Sequence, residues 1–268
     1  MLKDITLGQY FPGDTILHRL DPRTKIIMTV VYITVLFIAS SWISYGLVFI
    51  FLVFIVTLSK IKLKAILSGL KPLVFIMLLT GILNIFYQKG ETLLLDWWIF
   101  HIYLEGIVKA FFMITRIFLL ITGTLLLTYT TAPIRLTDGL ESLMNPLKRI
   151  KVPVHELSMM MSIALRFIPT LIEETDKIMS AQKARGADFE TGGLMKKAKS
   201  LLPLLIPLFV SAFRRADELS VAMESRCYHG GEGRTKLKQL KMRRLDWVTF
   251  LIGAILTAAV ITLDVFGL

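Results

Sequence analysis

The sequence predicts an all-α, polytopic membrane protein, and three observations carry that prediction. Hydrophobic residues make up 54% of the 268-residue chain and charged residues only 19%, with a mean hydropathy of +0.66. A soluble globular chain runs at roughly 45–50% apolar and about 25% charged. The apolar residues are gathered into uncharged runs, each close to the length that crosses a bilayer. The Lys and Arg residues, which give a formal net charge of +11, fall almost entirely on one side of those runs, as the positive-inside rule requires. The single cysteine, Cys227, excludes an internal disulfide and any Cys-rich zinc or iron–sulfur site. No apolar stretch precedes Ile26, so no secretory leader is expected.

The first uncharged run extends from Ile26 to Ser59, 34 residues. As one helix it would reach about 51 Å, too long for a hydrocarbon core of about 30 Å. The interruption Ser40-Ser41-Trp42-Ile43-Ser44 near its middle predicts a tight helical hairpin. Each arm is slightly short for a crossing, so one is expected to tilt little or to end below the surface. Pro72 to Gln88 gives 17 uncharged residues, at the lower limit of a span. Glu105 to Thr130 is long enough but carries Lys109 and Arg116, and Trp247 to Leu263 adds 17 more uncharged residues. The expectation is about five crossings. Residues 1–130 then form an N-terminal membrane region of about four spans, 131–244 a cytosolic region, and 245–268 a C-terminal transmembrane helix.

Orientation follows from the cations. Of the 31 Lys and Arg residues, 28 lie before Ile26, in the 60–71 loop or in residues 131–244; Lys89 alone lies in the 88–104 loop. The N-terminus, the 60–71 loop and residues 131–244 are therefore expected in the cytoplasm and the C-terminus outside. Residues 91–103 would face outward, with Trp97, Trp98 and Tyr103 suited to an interfacial aromatic belt.

Residues 131–244 hold two long amphipathic helical patterns and a shorter piece, Ile134 to Leu147. The first starts near Pro153, with Val154, Leu157, Met161, Ala164, Ile168, Ile172, Thr175 and Met179 at three- and four-residue spacing, and closes at Gly186. The second starts near Leu201, with Leu205, Leu208, Ala212, Ala216, Leu219 and Met223 as its stripe. Both end alike: Ala184-Arg185-Gly186 and Ser225-Arg226-Cys227. Matched cationic tips suit a two-fold or pseudo-two-fold partner, because small neighbours let a backbone approach and the planar Arg fork offers five donors. Basic residues in a last helical turn also serve the helix dipole alone, and the sequence leaves both accounts open.

At these residues the chain resembles the transmembrane T component (EcfT) of energy-coupling factor transporters, importers of vitamins and metal ions in the ATP-binding-cassette class. The likeness covers essentially the whole chain. It rests on Tyr10-Phe11-Pro12-Gly13-Asp14, on Leu17-His18-Arg19-Leu20-Asp21-Pro22-Arg23-Thr24-Lys25, on Glu105-Gly106 and Arg116, on Arg166-Phe167-Ile168-Pro169, and on the two arginine tips. The resemblance implies that the two cytosolic helices are coupling helices whose ends dock into grooves on two ATPase subunits, EcfA and EcfA'-like, with Arg185 and Arg226 as the docking arginines. The second tip departs from the family's Ala-Arg-Gly, with Ser225 for alanine and Cys227 for glycine, which puts its helix-ending geometry in question. The resemblance also implies a membrane-embedded substrate-binding (S) component as partner, ATP and Mg bound only by the ATPases, and no cofactor in this chain. Cargo recognition would belong to the S component; the N-terminal string leans toward a T component shared among several of them.

Physically, stiff helices held at one end by Arg contacts can carry a motion, while Met159, Met160, Met161 and Met179 offer an adaptable surface to the S component or simply fill space between the helices. Pro169, Pro203 and Pro207 are candidates for bends. Arg116, a costly charge within a span, is expected to tie spans together by binding carbonyls, whereas Lys109 can snorkel outward. Glu173, Glu174 and Asp176 read as a solvated face, because neighbours at one and two positions do not converge on a helix. The Gly230-Gly231-Glu232-Gly233 loop with Arg234, Lys236, Lys238, Lys241, Arg243 and Arg244 reads as a basic flank attracted to anionic lipid. No phosphate-binding Gly-Lys loop is present and the four histidines are scattered, so nucleotide and metal sites are not expected. The competing function, a multi-span membrane enzyme acting on a lipid or prenyl substrate, would need clustered acids or histidines at a membrane face. A secondary transporter would need inverted repeats, and a nucleic-acid partner is disfavoured because the cations follow membrane sidedness.

Overall fold

The computed structural model describes residues 10–87, 92–97, 100–189, 193–230 and 239–266. They divide into two compact units, one built on Gly8–Leu140 with Leu240–Leu268 and the other on Glu141–Gln239.

The first unit is a helical bundle. A single turn, α1 (Ile16–Arg19), leads to α2 (Pro22–Ile38), whose start is set by Asp21 as N-cap and Pro22 in the first turn. The serine interruption ends α2 and starts α3 (Trp42–Ser59), with the Ser41 hydroxyl accepting from the Ser44 N–H at 3.2 Å. The hairpin is as tight as the sequence implies. The 60–71 segment, expected as a loop, is instead largely helix: α4 (Leu63–Leu70) buries Ile66 and Leu70 against Tyr129. A 3₁₀ turn at Lys71–Leu73 follows, at Pro72, which cannot donate to an α-helical ladder, and then α5 (Val74–Tyr87). Two short antiparallel strands, β1 (Leu93–Trp97) and β2 (Phe100–Tyr103), pair Asp96 with His101. The aromatic-belt reading at Trp97 and Trp98 falls outside the described side chains. The bundle closes with α6 (Leu104–Thr130) and α10 (Arg244–Val265).

Among the described residues, four segments are long and apolar enough to cross a membrane: Trp42–Ser59, Leu63–Tyr87, Leu104–Thr130 and Arg244–Val265. The 17 residues of α2 reach only about 26 Å. Yet α2 lies at the centre of the bundle, where Val35 and Leu36 bury fully with Val48 and Leu119. Gly123 on α6 makes the close approach possible, since a Cβ there would lie 2.3 Å from the Tyr32 ring, whose hydroxyl donates to the Leu119 carbonyl at 2.9 Å. Outward-facing Ile50, Phe75, Leu251 and Ile255 stay exposed, as expected where lipid replaces water.

In the second unit, a 3₁₀ stretch (Asn145–Ile150) follows α7 (Pro133–Met144) and precedes α8 (Val154–Ala184) and α9 (Leu194–Glu224). Pro153 is the N-cap of α8 rather than its first helical residue, and α9 begins at Leu194, ahead of the expected Leu201. Gly193 caps that earlier start, and good helix formers such as Lys and Ala carry it through to Pro203. Both helices continue through Pro169, Pro203 and Pro207. Pro207 leaves the Pro203 carbonyl without its helical donor, and Gln182 Nε2 of α8 approaches that oxygen at 3.5 Å.

Glu174 is not part of a solvated face. It accepts from Ser211 Oγ and, at 2.9 Å, from Arg215 Nη2, both on α9. Between Glu174 and Gln182 the contacts advance along α8 while their partners retreat from Ser211 to Pro203 along α9, so the pair is antiparallel. The pair covers its apolar stripes only partly, leaving Leu157 and Met161 on α8 and Leu205 on α9 exposed, and beside the stripes Met160, Ile206, Phe209 and Phe213 are exposed as well.

Candidate functional site

The two arginine tips share one backbone geometry despite their different sequences. At the end of α8 the Ala187 N–H donates to the Gln182 carbonyl and the Gly186 N–H to the Lys183 carbonyl, both at 3.0 Å, with Gly186 at φ +89°. This is a Schellman ending, in which a left-handed residue lets two amides satisfy the last free carbonyls. At the end of α9 the Tyr228 N–H donates to the Met223 carbonyl at 3.0 Å and the Cys227 N–H to the Glu224 carbonyl at 2.9 Å, with Cys227 at φ +56°. Cys227 therefore holds the place that Gly186 holds in the first tip, although the left-handed region costs an L side chain roughly 1–2 kcal/mol. The departure from Ala-Arg-Gly leaves the helix ending intact.

Arg185 and Arg226 thus precede the left-handed residue in each tip. Both are exposed, as are Ala184, Gly186, Ser225 and Cys227, and neither guanidinium has a hydrogen-bond or ion-pair partner among the described residues. Because α8 and α9 are antiparallel, the tips lie at opposite ends of the pair, about 39 Å apart along its length at the α-helical rise. An antiparallel pair has an approximate two-fold axis across its middle, so each tip presents the same local structure to its own side.

Within the bundle, the Leu17–Lys25 string is a polar fastening. Asp21 accepts from the Arg23 N–H and guanidinium, and Arg23 Nη2 also donates to the Leu240 carbonyl at 3.0 Å. The Asp21 N–H donates to Asp246 Oδ1 at 2.9 Å, while Asp246 Oδ2 takes the Arg243 N–H at 2.7 Å; Asp246 is fully buried. Lys25 Nζ donates to the Thr130 carbonyl at 2.9 Å and to Thr131 Oγ1 at 3.1 Å, a cation on the C-terminal carbonyls of α6. His18 bonds Thr15 Oγ1 and the Phe11 carbonyl, and the Phe11 N–H donates to the Tyr129 carbonyl, so Tyr10-Phe11-Pro12-Gly13 is held against α6.

A second fastening lies at the opposite end of α2. Asp264 accepts from the Ser40 and Ser41 amides and from Ser44 Oγ at 2.8 Å. At the residues flanking these serines, Arg116 Nε donates to the Tyr45 hydroxyl at 2.7 Å and Nη2 to the Ala39 carbonyl at 3.1 Å, with the Phe37 and Tyr45 rings each 5.8 Å from its Cζ. Arg116 therefore touches both arms of the hairpin from α6, and Lys109 is exposed. The pairs Asp21–Asp246 and Ser40–Asp264 make α2 and α10 parallel. On each helix the two fastenings are about 27–28 Å apart, close to the hydrocarbon thickness of about 30 Å. Asp246, Asp264 and Tyr45 were not singled out by their sequence; the available signal was two lone carboxylates bracketing the last apolar run.

The family model described as cobalt transport protein (CbiQ) matches residues 13–237. An energy-coupling factor transporter transmembrane protein EcfT from Ruminiclostridium cellulolyticum is 55% identical over 92% of each chain. One from Clostridium kluyveri is 52% identical over 96% of this chain and 95% of its own, and one from Bacillus subtilis 46% identical over 97% and 98%. With paired arginine tips, a doubly fastened bundle and these likenesses along nearly its full length, the chain belongs to the EcfT family of energy-coupling factor transporter transmembrane proteins.

Proposed function

We propose that this chain is the non-enzymatic coupling subunit of its transporter, carrying the ATP-driven movement of two ATP-binding-cassette ATPase subunits to a membrane-embedded S component that takes up a vitamin or metal ion. ATP and Mg are bound and turned over on the ATPases, and this chain contributes no catalytic group. The observation that supports the reading best is the pair of matched tips. Each is an exposed guanidinium on a Schellman ending, without a partner among the described residues, and the two lie at opposite ends of an antiparallel helix pair. Two equivalent ends facing opposite ways fit a dimeric motor with two equivalent grooves. Arg185 and Arg226 dock by donating to carboxylates or helix-end carbonyls there, with Ala184, Gly186, Ser225 and Cys227 admitting the partner backbone. The partly uncovered apolar stripes of α8 and α9 then take the S component.

In this reading the N-terminus and residues 131–244 are cytoplasmic and the C-terminus is outside. The cation distribution and the parallel run of α2 and α10, which calls for an even number of crossings after α2, both favour that arrangement. A C-terminal reporter active only in the cytoplasm is expected to stay silent. For docking, the complex is purified in mild detergent: the wild type is expected to bring both ATPases, Arg185→Glu or Arg226→Glu to weaken one contact, and the double variant to bring neither. Full retention of the ATPases by a folded double variant overturns the docking assignment.

A further inference from the structure

A groove in the bundle is lined almost wholly by apolar side chains, with Lys25 among them. It has a volume of about 380 Å³ and is lined from α1, α2, α3, α6 and α10. Its floor holds Tyr32, Leu52 and Leu126, all buried, and its mouth holds exposed Ile16, Phe54 and Val248. Because α3 and α10 are membrane-crossing segments, the mouth between their side chains meets hydrocarbon rather than water.

The polar atoms of the lining restrict what can enter. The hydroxyls of Tyr32, Thr29, Thr130 and Thr249 all donate to backbone carbonyls already. Lys25 is the exception: 8% exposed and lining the groove, its ammonium uses two of three donors, on the Thr130 carbonyl and Thr131 Oγ1. Arg135 and Asp246 are the charges that act on it. Asp246, like Asp21, is already engaged by backbone and Arg23 donors. The same end of the bundle carries exposed Arg19, between the lining residues Leu17 and Leu20, and exposed Arg244, beside the lining residue Leu245. The groove is thus apolar along its length and cationic at one end.

We propose that this groove holds one acyl chain of an anionic phospholipid, with the headgroup phosphate taken by the third Lys25 N–H and by Arg19 at the rim, and with Arg135, whose charge acts on Lys25, adding to the positive field at that end. The chain supplies the apolar contacts that the helices leave open, and the rim selects the headgroup. A lipid so placed fills the space between α3 and α10 next to the Asp21–Asp246 fastening.

Native mass spectrometry of the full chain, purified in mild detergent and offered phosphatidylglycerol and phosphatidylcholine with identical acyl chains, tests this. One retained phosphatidylglycerol per chain is expected, preferred by about fivefold or more for each rim cation. The surface variant Arg19→Gln, Arg135→Gln is expected to retain lipid with that preference lost. Thr29→Phe and, separately, Val248→Trp fill the groove from its wall and its mouth and are expected to lose the retained lipid of either headgroup. Equal retention of the two lipids by the wild type, or an unchanged preference in the double glutamine variant, overturns the proposal. So does a filled groove that keeps its lipid but loses a co-purifying membrane subunit, which would make the groove a protein contact.

Discussion

Arg116→Leu separates two ways of thinking about a charge in a membrane span. By hydropathy alone the substitution removes an Arg from the middle of α6, a change worth about 2.5–3.5 kcal/mol on insertion scales. That gain does not reach folding stability, because the inserted but unfolded helix carries the same arginine with fewer partners. What folding loses is specific. The Tyr45 hydroxyl and the Ala39 carbonyl lose charge-assisted donors at 2.7 and 3.1 Å. Tyr45 is 4% exposed and Ala39 is fully buried, so neither finds water in exchange. An orphaned buried group costs about 1–3 kcal/mol, while hydrogen bonds measured inside membrane proteins average about 0.6 kcal/mol and reach about 1.7. Weighting toward the membrane values, Arg116→Leu is expected to destabilise the bundle by about 2–3 kcal/mol. Tyr45→Phe should cost about 1 kcal/mol, and the two should couple by about 1 kcal/mol, since they remove the same bond. The assay is reversible SDS unfolding in mixed micelles for the four members of the double-mutant cycle. A coupling energy near zero, or an Arg116→Leu variant as stable as the wild type, would refute the claim that this guanidinium clamps the hairpin to α6.

Three further outcomes follow from the geometry. Cys227→Gly relieves a left-handed side chain and is expected to stabilise the end of α9 by about 1 kcal/mol, while Gly186→Ala, whose Cβ would meet nothing within 4 Å, should destabilise the end of α8 by a similar amount through the backbone alone; slower and faster hydrogen exchange of the Tyr228 and Ala187 amides reads the two effects. Asp246→Asn removes a buried carboxylate that takes two backbone N–H groups on separate oxygens, that of Asp21 buried and that of Arg243 part-buried; an amide offers only one acceptor, so a loss of about 1–3 kcal/mol is expected, measured by the same SDS titration. Glu174→Gln weakens a half-buried bridge (side chains 22% and 32% exposed for Glu174 and Arg215) and should cost under about 1 kcal/mol, yet loosen α8 from α9 in crosslinking of cysteines placed at positions 182 and 203.

Much of this architecture was legible because membrane physics leaves few options. Uncharged run lengths located α3, α5 and α10, the long apolar stretch from Glu105 to Thr130 located α6 despite its Lys109 and Arg116, and the serine cluster located the α2–α3 turn, since hydroxyl side chains cap helices. Gly186 announced a Schellman ending. The equivalent ending at Cys227 was hidden, because cysteine carries no preference for positive φ, and only the hydrogen bonds of Tyr228 and Cys227 reveal it. The long-range fastenings were also hidden. Nothing in the spacing of Asp21 and Asp246, or of Ser41 and Asp264, indicates that they meet, because helix pairing in a bundle is decided by packing rather than by sequence distance. Glu174 misled for a related reason: its neighbours Glu173 and Asp176 do not share its direction, and its partners sit on another helix. The start of α4 was missed because Lys62 and Lys64 look like loop cations, whereas Ile66 and Leu70, one turn apart, are buried.

The two units differ in how they are held together, and the difference fits the proposed division of labour. The bundle is fastened at both ends by carboxylates and cations that reach across helices, buried at the Asp246 end and half-buried at the Asp264 end, and its centre is closed by Leu36, Val48 and Leu119. A scaffold that must keep its spans in register needs such fixed points, because lipid gives helices no hydrophobic reason to associate. The α8–α9 pair is different. Each helix has 31 residues, about 46 Å of stiff rod; polar contacts join the rods at Glu174 and Gln182, while large apolar side chains remain open along both. A half-buried Glu–Arg bridge is directional but weak, so it fixes where the rods touch without strongly resisting a change in the angle between them. From Glu174 the tip at Arg185 lies about 16 Å away, and from Ser211 the tip at Arg226 about 22 Å, so a few degrees of rotation move each guanidinium by an ångström or more, in opposite senses. Partners that draw together while gripping both tips would do work on that angle, and the open stripes of α8 and α9 are the surfaces along which it would be felt.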